Sequence, residues 1–235
     1  MKRISNPQNP FVPEARVLLE TAGPIQPEVY EETVKTILSH NTSPDLPFRW
    51  SVNPYRGCFH ACAYCYARPT HEYWGFGSGT DFESKLVVKV NAAAKLQESL
   101  HKRSWQGELI VFSGNTDPYQ PLEATYQLTR SCLKICAEFH NPVGLISKSA
   151  LIARDIDVLQ ELRDKAWVRV FLSIPFASDD IARKVEPQAP SIAKRFETLE
   201  KLSKAGISTA VSIAPVIPGL NEHDIPHILS RARDA

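Results

Sequence analysis

Three cysteines, Cys58, Cys62 and Cys65, stand close together in Tyr55-Arg56-Gly57-Cys58-Phe59-His60-Ala61-Cys62-Ala63-Tyr64-Cys65-Tyr66. A C-x3-C-x2-C spacing lets a single loop wrap a compact metal centre with three thiolates. Closed structural sites take four ligands, as zinc and ordinary ferredoxin clusters do. Three ligands on a four-iron cluster leave one iron open to a substrate or cofactor, the arrangement that catalysis needs. The competing reading is a zinc site completed by a histidine. His60 lies between two of the cysteines, where it struggles to point at the same ion. His71, on the segment that follows, is the better rival. The chain holds five cysteines, an odd number, so a disulfide framework is not expected.

Such a loop needs elements to hold it. Apolar, β-branched runs of strand length stand at Trp50–Tyr55, Leu109–Phe112, Val143–Ile146, Val168–Ile174 and Ile207–Ile213. Helix-length segments separate them: Asn91–Arg103, Pro121–Phe139, Leu151–Lys165, Ser191–Ala205 and a last one from about Glu222 onward. Ser191–Ala205 shows the helical period best, with Ile192, Phe196, Leu199 and Leu202 on one stripe and Gly206 just past its end. This alternation predicts five βα units, an α/β fold built on a parallel sheet. The length favours a partial barrel over a full eightfold one. The cysteine loop then follows the first strand and opens at the carboxyl edge of the sheet, where such folds bind ligands. No strand follows the last helix, so a sixth strand is expected beyond the final residue, the barrel being truncated after its fifth unit. Residues 1–49 carry seven of the 18 prolines and read as an extension lying over the main body. One short helix is expected there, Glu28–Ser39, starting just after Pro27. Residues 50–235 form the main domain in this reading.

The cysteine motif, with an aromatic residue directly before its last cysteine, resembles the cluster motif of the radical S-adenosylmethionine superfamily. The segments NTSPDLPF, NPYRGC, CAYCYARPTHEY, DFESKL, TDPYQPLE, HNPVG, EPQAPS and PGLNEHD narrow the resemblance to the spore photoproduct lyase-like group. It runs from about Asn41 to the C-terminus. The resemblance implies a six-stranded partial barrel of the radical SAM (βα)6 type. It implies a 4Fe–4S cluster on Cys58, Cys62 and Cys65, whose open iron chelates the amino and carboxylate groups of S-adenosylmethionine. One electron into the sulfonium then releases methionine and a 5′-deoxyadenosyl radical that abstracts hydrogen from a substrate, with a DNA lesion as the substrate class the group suggests. By the same resemblance, Tyr64 packs beside the adenine. Thr116 and Asp117 stand in the segment that meets the methionine amino group. Lys148 and Ser173 bind the carboxylate and the ribose. An external one-electron donor of the flavodoxin or ferredoxin type is the implied partner. Read locally, Thr116 and Asp117 form a helix-capping turn before Pro121, Lys148 is a loop lysine and Ser173 is a buried hydroxyl.

The remaining features bound the alternatives. Lys and Arg number 27 against 26 Asp and Glu, so there is no bulk electrostatic drive toward nucleic acid or membrane. A nucleic-acid partner would need a local patch, and Tyr73, Trp74 and Phe76 either stack on a base or roof the cluster. No apolar run approaches the ~20 residues needed to cross a bilayer. The N-terminus lacks the apolar stretch of a secretory signal, so a cytoplasmic location is expected. Cys132 and Cys136, four apart on a helix, read as small core hydrophobes, and no second cluster is expected. Arg183, Glu186 and Arg195 read as a salt-bridged wall. The alternative from another functional class is a zinc-bound, non-catalytic nucleic-acid binding module.

Overall fold

Nine strands and eight α-helices form among residues 27–235, the residues described by the computed structural model. The strands are β1 (Glu28–Glu32), β2 (Leu38–His40), β3 (Trp50–Val52), β4 (Tyr55–Arg56), β5 (Lys85–Lys89), β6 (Ile110–Phe112), β7 (Val143–Ser147), β8 (Val168–Ser173) and β9 (Ser208–Ser212). The helices are α1 (Asp81–Ser84), α2 (Ala92–Leu100), α3 (Glu123–Tyr126), α4 (Leu128–Glu138), α5 (Ile156–Lys165), α6 (Asp179–Val185), α7 (Ile192–Lys204) and α8 (Ile225–Arg233). Strands β3, β6, β7, β8 and β9 run parallel, side by side in that order, and β2 adds antiparallel to β3. The five parallel strands correspond to the five βα units anticipated.

Period-two burial places the sheet. Val168, Val170 and Leu172 of β8 are buried while Arg169 between them is exposed. These side chains join Phe112 and Leu145 and the apolar stripes of α4, α5 and α7 in one continuous core. Helix α7 shows how the sequence builds such a stripe. Ser191 accepts a hydrogen bond from the Lys194 amide at its start, and Lys201 and Lys204 face the negative end of its dipole. Ile192, Phe196, Leu199 and Leu202 are all buried. Cys132 and Cys136 are fully buried in the same core, packed as apolar groups.

Three expected elements take another form. The helix over Glu28–Ser39 is replaced by β1 and β2. Val29, Tyr30, Thr33 and Val34 suit extended backbone, and the open edge of β5 offers β1 a parallel partner. Asn91 clasps the chain beyond β1: its Oδ1 accepts the Val34 N–H and its Nδ2 donates to the Val34 carbonyl, both at 2.9 Å. The boundary expected at residue 49 falls between β2 and β3, which are paired. Residues 1–26 of the expected extension lie outside the described residues.

The strand expected over Trp50–Tyr55 divides at Asn53-Pro54, because proline has no N–H for a central ladder. Tyr55-Arg56 turns away to pair antiparallel with β5. A second sheet of three strands, ordered β1-β5-β4, results. The helix expected over Pro121–Phe139 breaks at Gln127, whose φ is +50°. The cause is Glu123, whose buried carboxylate accepts the amides of Thr129 (2.9 Å) and Arg130 (3.1 Å) and so starts α4 afresh.

Candidate metal and cofactor site

The cysteine loop leaves β4 through Gly57, where φ is +67° and a Cβ would lie 2.7 Å from the Phe82 carbonyl oxygen. Only glycine fits a left-handed residue so closely covered. The loop is then tied down on three sides. Cys58 donates its amide to the Phe82 carbonyl at 2.9 Å. From the turn after β6, Thr116 Oγ1 (2.5 Å) and Gln120 Nε2 (3.2 Å) donate to the Gly57 carbonyl, and Gln120 Oε1 accepts the Phe59 amide at 3.2 Å. From the end of α6 the Val185 carbonyl accepts the Ala63 amide at 2.8 Å, and from the connection to α7 the Gln188 amide donates to the His60 carbonyl at 3.3 Å. Arg68 reinforces the Phe82 side, donating to the carbonyls of Cys62 (3.0 Å) and Gly79 (2.7 Å) while pairing with Glu83 at 2.7 Å.

Cys58 and Cys62 are buried by this bracing and Cys65 is half-buried. Burial pushes the Cys62 thiol up to about 12 and raises Cys65, with the charges of the neighbouring cysteines adding to both. At Cys58 burial also opposes ionisation, but the adjacent His60 outweighs it and the thiol lies below its ordinary value. The three sulfurs lie close enough to influence one another's ionisation, and metal binding would replace the thiol protons. Among the described residues no three His, Cys, Asp or Glu donors converge as they must around a single ion. Three thiols carried on one loop are the donor set that a four-iron cluster with one open iron would take.

His71 is engaged away from the cysteines, whereas His60 lies beside Cys58. His71 Nε2 donates to the Lys85 carbonyl at 2.8 Å, and its ring packs edge-on to Phe82 and tilted on Phe76. His60 is buried with Nδ1 3.3 Å from the Asp117 carboxylate. That carboxylate also accepts from the Tyr119 amide (2.9 Å), Ser147 Oγ (2.7 Å) and the Lys148 amide (2.7 Å). Thr116 and Asp117 thus brace the cysteine loop and the end of β7, with little of either side chain exposed.

Across from the cysteines, the ends of β7 and β8 bring Lys148 and Ser173 together, Lys148 Nζ donating to Ser173 Oγ at 2.9 Å. The same ammonium lies 5.7 Å from the centre of the Tyr64 ring and lowers the Cys62 thiol by its charge. All eight residues read from sequence, Cys58, Cys62, Tyr64, Cys65, Thr116, Asp117, Lys148 and Ser173, thus gather at the carboxyl ends of the strands. Behind them Glu186 and Arg195 form a fully buried pair at 2.5 Å; Arg183 is exposed and stands outside it. Gln120 escaped the sequence reading, although it lies within TDPYQPLE; a glutamine shows no pattern until its partners are known. Trp74 stacks against Arg56, 3.4 Å from the guanidinium carbon to the ring centre, while Tyr73 is largely exposed.

Residues 52–232 match the Radical SAM superfamily, and the chain belongs to that superfamily. An uncharacterized protein of Mycobacterium tuberculosis is 40% identical over 177 residues, covering 75% of this chain and 52% of the relative. An uncharacterized protein of Methanocaldococcus jannaschii is 30% identical over 185 residues, covering 79% and 66%. A radical SAM Nalpha-GlyT isomerase of Pseudomonas phage M6 is 28% identical over 183 residues, covering 77% and 36%. Spore photoproduct lyase complexed with dinucleoside spore photoproduct shares the fold, with a TM-score of 0.62 at 16% identity over 88% of this chain and 58% of the lyase. The chain therefore spans about half the length of the mycobacterial relative. No helix among the described residues is long and apolar enough to cross a membrane.

Proposed function

We propose that this chain is the core of a radical S-adenosylmethionine enzyme, holding a 4Fe–4S cluster on Cys58, Cys62 and Cys65 and S-adenosylmethionine against Tyr64, Lys148 and Ser173. One juxtaposition carries the reading: three thiols on a loop braced from three sides, facing a lysine whose ammonium makes one hydrogen bond among the described residues, to Ser173. The cluster, once reduced by an external donor, would supply one electron to the sulfonium of bound S-adenosylmethionine, whose C–S bond would break to give methionine and a 5′-deoxyadenosyl radical able to abstract hydrogen from a substrate.

The protein's own part is positioning. Lys148 keeps donors for a carboxylate, as a charge-assisted partner. Ser173 presents its hydroxyl beside it. Tyr64 offers a ring face near the cysteines for a base or ribose. Thr116 and Asp117 act one step back, holding the loop and the β7 end that carry these groups. Burial of Cys58 and Cys62 keeps bulk water from the sulfurs. An external one-electron donor of the flavodoxin or ferredoxin class completes the requirement. The shared fold with spore photoproduct lyase makes a nucleic-acid lesion the first substrate class to assay.

Anaerobic reconstitution with iron and sulfide tests the proposal, followed by iron counting and low-temperature EPR of the reduced protein with and without S-adenosylmethionine. About four irons per chain and a spectrum altered by the cofactor are expected. A colourless protein carrying one zinc and no reducible cluster would overturn it in favour of the structural zinc module.

A further inference from the structure

Glu186 is a carboxylate with its side chain sealed from solvent, and each oxygen has its own partners. Oε1 accepts the Tyr64 hydroxyl and lies 3.7 Å from Lys148 Nζ. Oε2 takes the Arg195 guanidinium at 2.5 Å. Arg195 is almost fully buried and reaches further, donating to the Ser173 carbonyl (3.0 Å) and the Pro190 carbonyl (2.9 Å). One buried ion pair therefore touches three residues placed in the cofactor site: Tyr64 on the cysteine loop, Lys148 after β7 and Ser173 at the end of β8. These come from three separate segments of the chain, and no backbone hydrogen bond described above joins Tyr64 to either strand end.

A buried pair of this kind is a poor source of net stability, since desolvation offsets much of the attraction. Its value lies in fixing geometry. The charge of Glu186 draws the Lys148 ammonium toward the Tyr64 ring without a direct hydrogen bond, because Tyr64 and Arg195 take its closest contacts. Among the described residues Lys148 is left with one hydrogen bond, to Ser173, and donors to offer a ligand.

Resting on the function proposed above, we infer that Glu186, held by Arg195, is a positioning residue for S-adenosylmethionine: it sets the Tyr64 ring and the Lys148 ammonium at the spacing the cofactor needs. It acts through those two side chains and does not ligate the cluster.

The test is calorimetric titration of S-adenosylmethionine into anaerobically reconstituted protein, with iron content measured on every sample. Glu186→Gln should keep wild-type iron and bind about tenfold more weakly, the loss expected for a hydrogen-bonded charge. In a Lys148→Met background the same substitution should cost far less, because its effect runs through the lysine. Should Glu186→Gln fail to fold, the paired variant Glu186→Gln/Arg195→Met removes both charges of the pair at once, although the Ser173 and Pro190 carbonyls lose their Arg195 donor. A merely structural pair predicts wild-type affinity in the paired variant, whereas the positioning role predicts that binding stays weak. Equal affinity of wild type and Glu186→Gln, additive losses with Lys148→Met, or recovery in the paired variant overturns this inference alone. A wild-type protein with no cluster overturns the proposed function, and this inference with it.

Discussion

Thr116 Oγ1 donates to the Gly57 carbonyl at 2.5 Å, so the turn after one parallel strand grips the residue directly before the first cysteine of the loop. The two are 59 positions apart in sequence. Thr116→Val keeps the shape and removes the donor, leaving the carbonyl to Gln120 alone. We expect stability to fall by about 1–3 kcal/mol and reconstituted iron to be lost faster to a chelator. Thr116→Ser should restore both. Denaturant unfolding and a timed chelator challenge measure the two effects.

Gly57→Ala should be more damaging. The residue would hold a left-handed conformation and press its Cβ against the Phe82 carbonyl. A cost of roughly 1–3 kcal/mol is expected from the backbone alone. The clash falls on the same carbonyl that accepts the Cys58 amide, so iron content should drop together with stability. Wild-type iron in a stably folded Gly57→Ala protein would contradict the cradle.

The cysteines should divide into two classes. Cys62→Ala is expected to abolish iron binding while leaving the far-ultraviolet circular dichroism of the helices unchanged. Cys132→Ala, in the core, should keep wild-type iron and lose stability by about 0.5–3 kcal/mol. Iron assay and thermal unfolding of both variants separate a ligand from a packing residue.

Lys89 supplies a pH dependence. Its ammonium is buried, donating to the Asn53 carbonyl at 2.7 Å. Burial, helped by the nearby Arg56, lowers it from lysine's ordinary 10.5 to about 8. Between those values the unfolded chain binds the proton more fully than the folded one, so stability from this group rises with pH and is least below pH 8. Relative to Lys89→Met, the wild type should gain up to roughly 3 kcal/mol between pH 8 and 10.5. Denaturant titrations of both proteins across that range measure it, and a constant difference would refute the burial.

Asn91→Ala should release the chain after β1, since both of its amide contacts reach the Val34 backbone. A loss of about 1–3 kcal/mol, with faster hydrogen exchange at Val34, is expected. The cysteine loop should keep its iron, because β1 lies on the far side of β5 from β4.

Local order carried much of this molecule in its sequence. The C-x3-C-x2-C spacing, the β-branched runs of β6 to β9 and the stripe of α7 are patterns that repeat within a few residues, so the parallel α/β sheet and the thiol loop could be read from them. The eight residues proposed for the site could be named because motifs and strand ends mark them. What the chain alone leaves undecided depends on partners distant in sequence. Glu28–Glu32 is a strand because β5 offers it an edge, and Trp50–Tyr55 divides because Tyr55-Arg56 finds that same strand. Gln127 breaks a helix because Glu123 is buried where it can cap the next one. Glu186 stands beside Tyr64, 122 positions away, only once the sheet has brought their segments together. Spacing determined the chemistry the loop can do; the tertiary structure decided what holds it, because hydrogen bonds and buried charges find partners by distance in space.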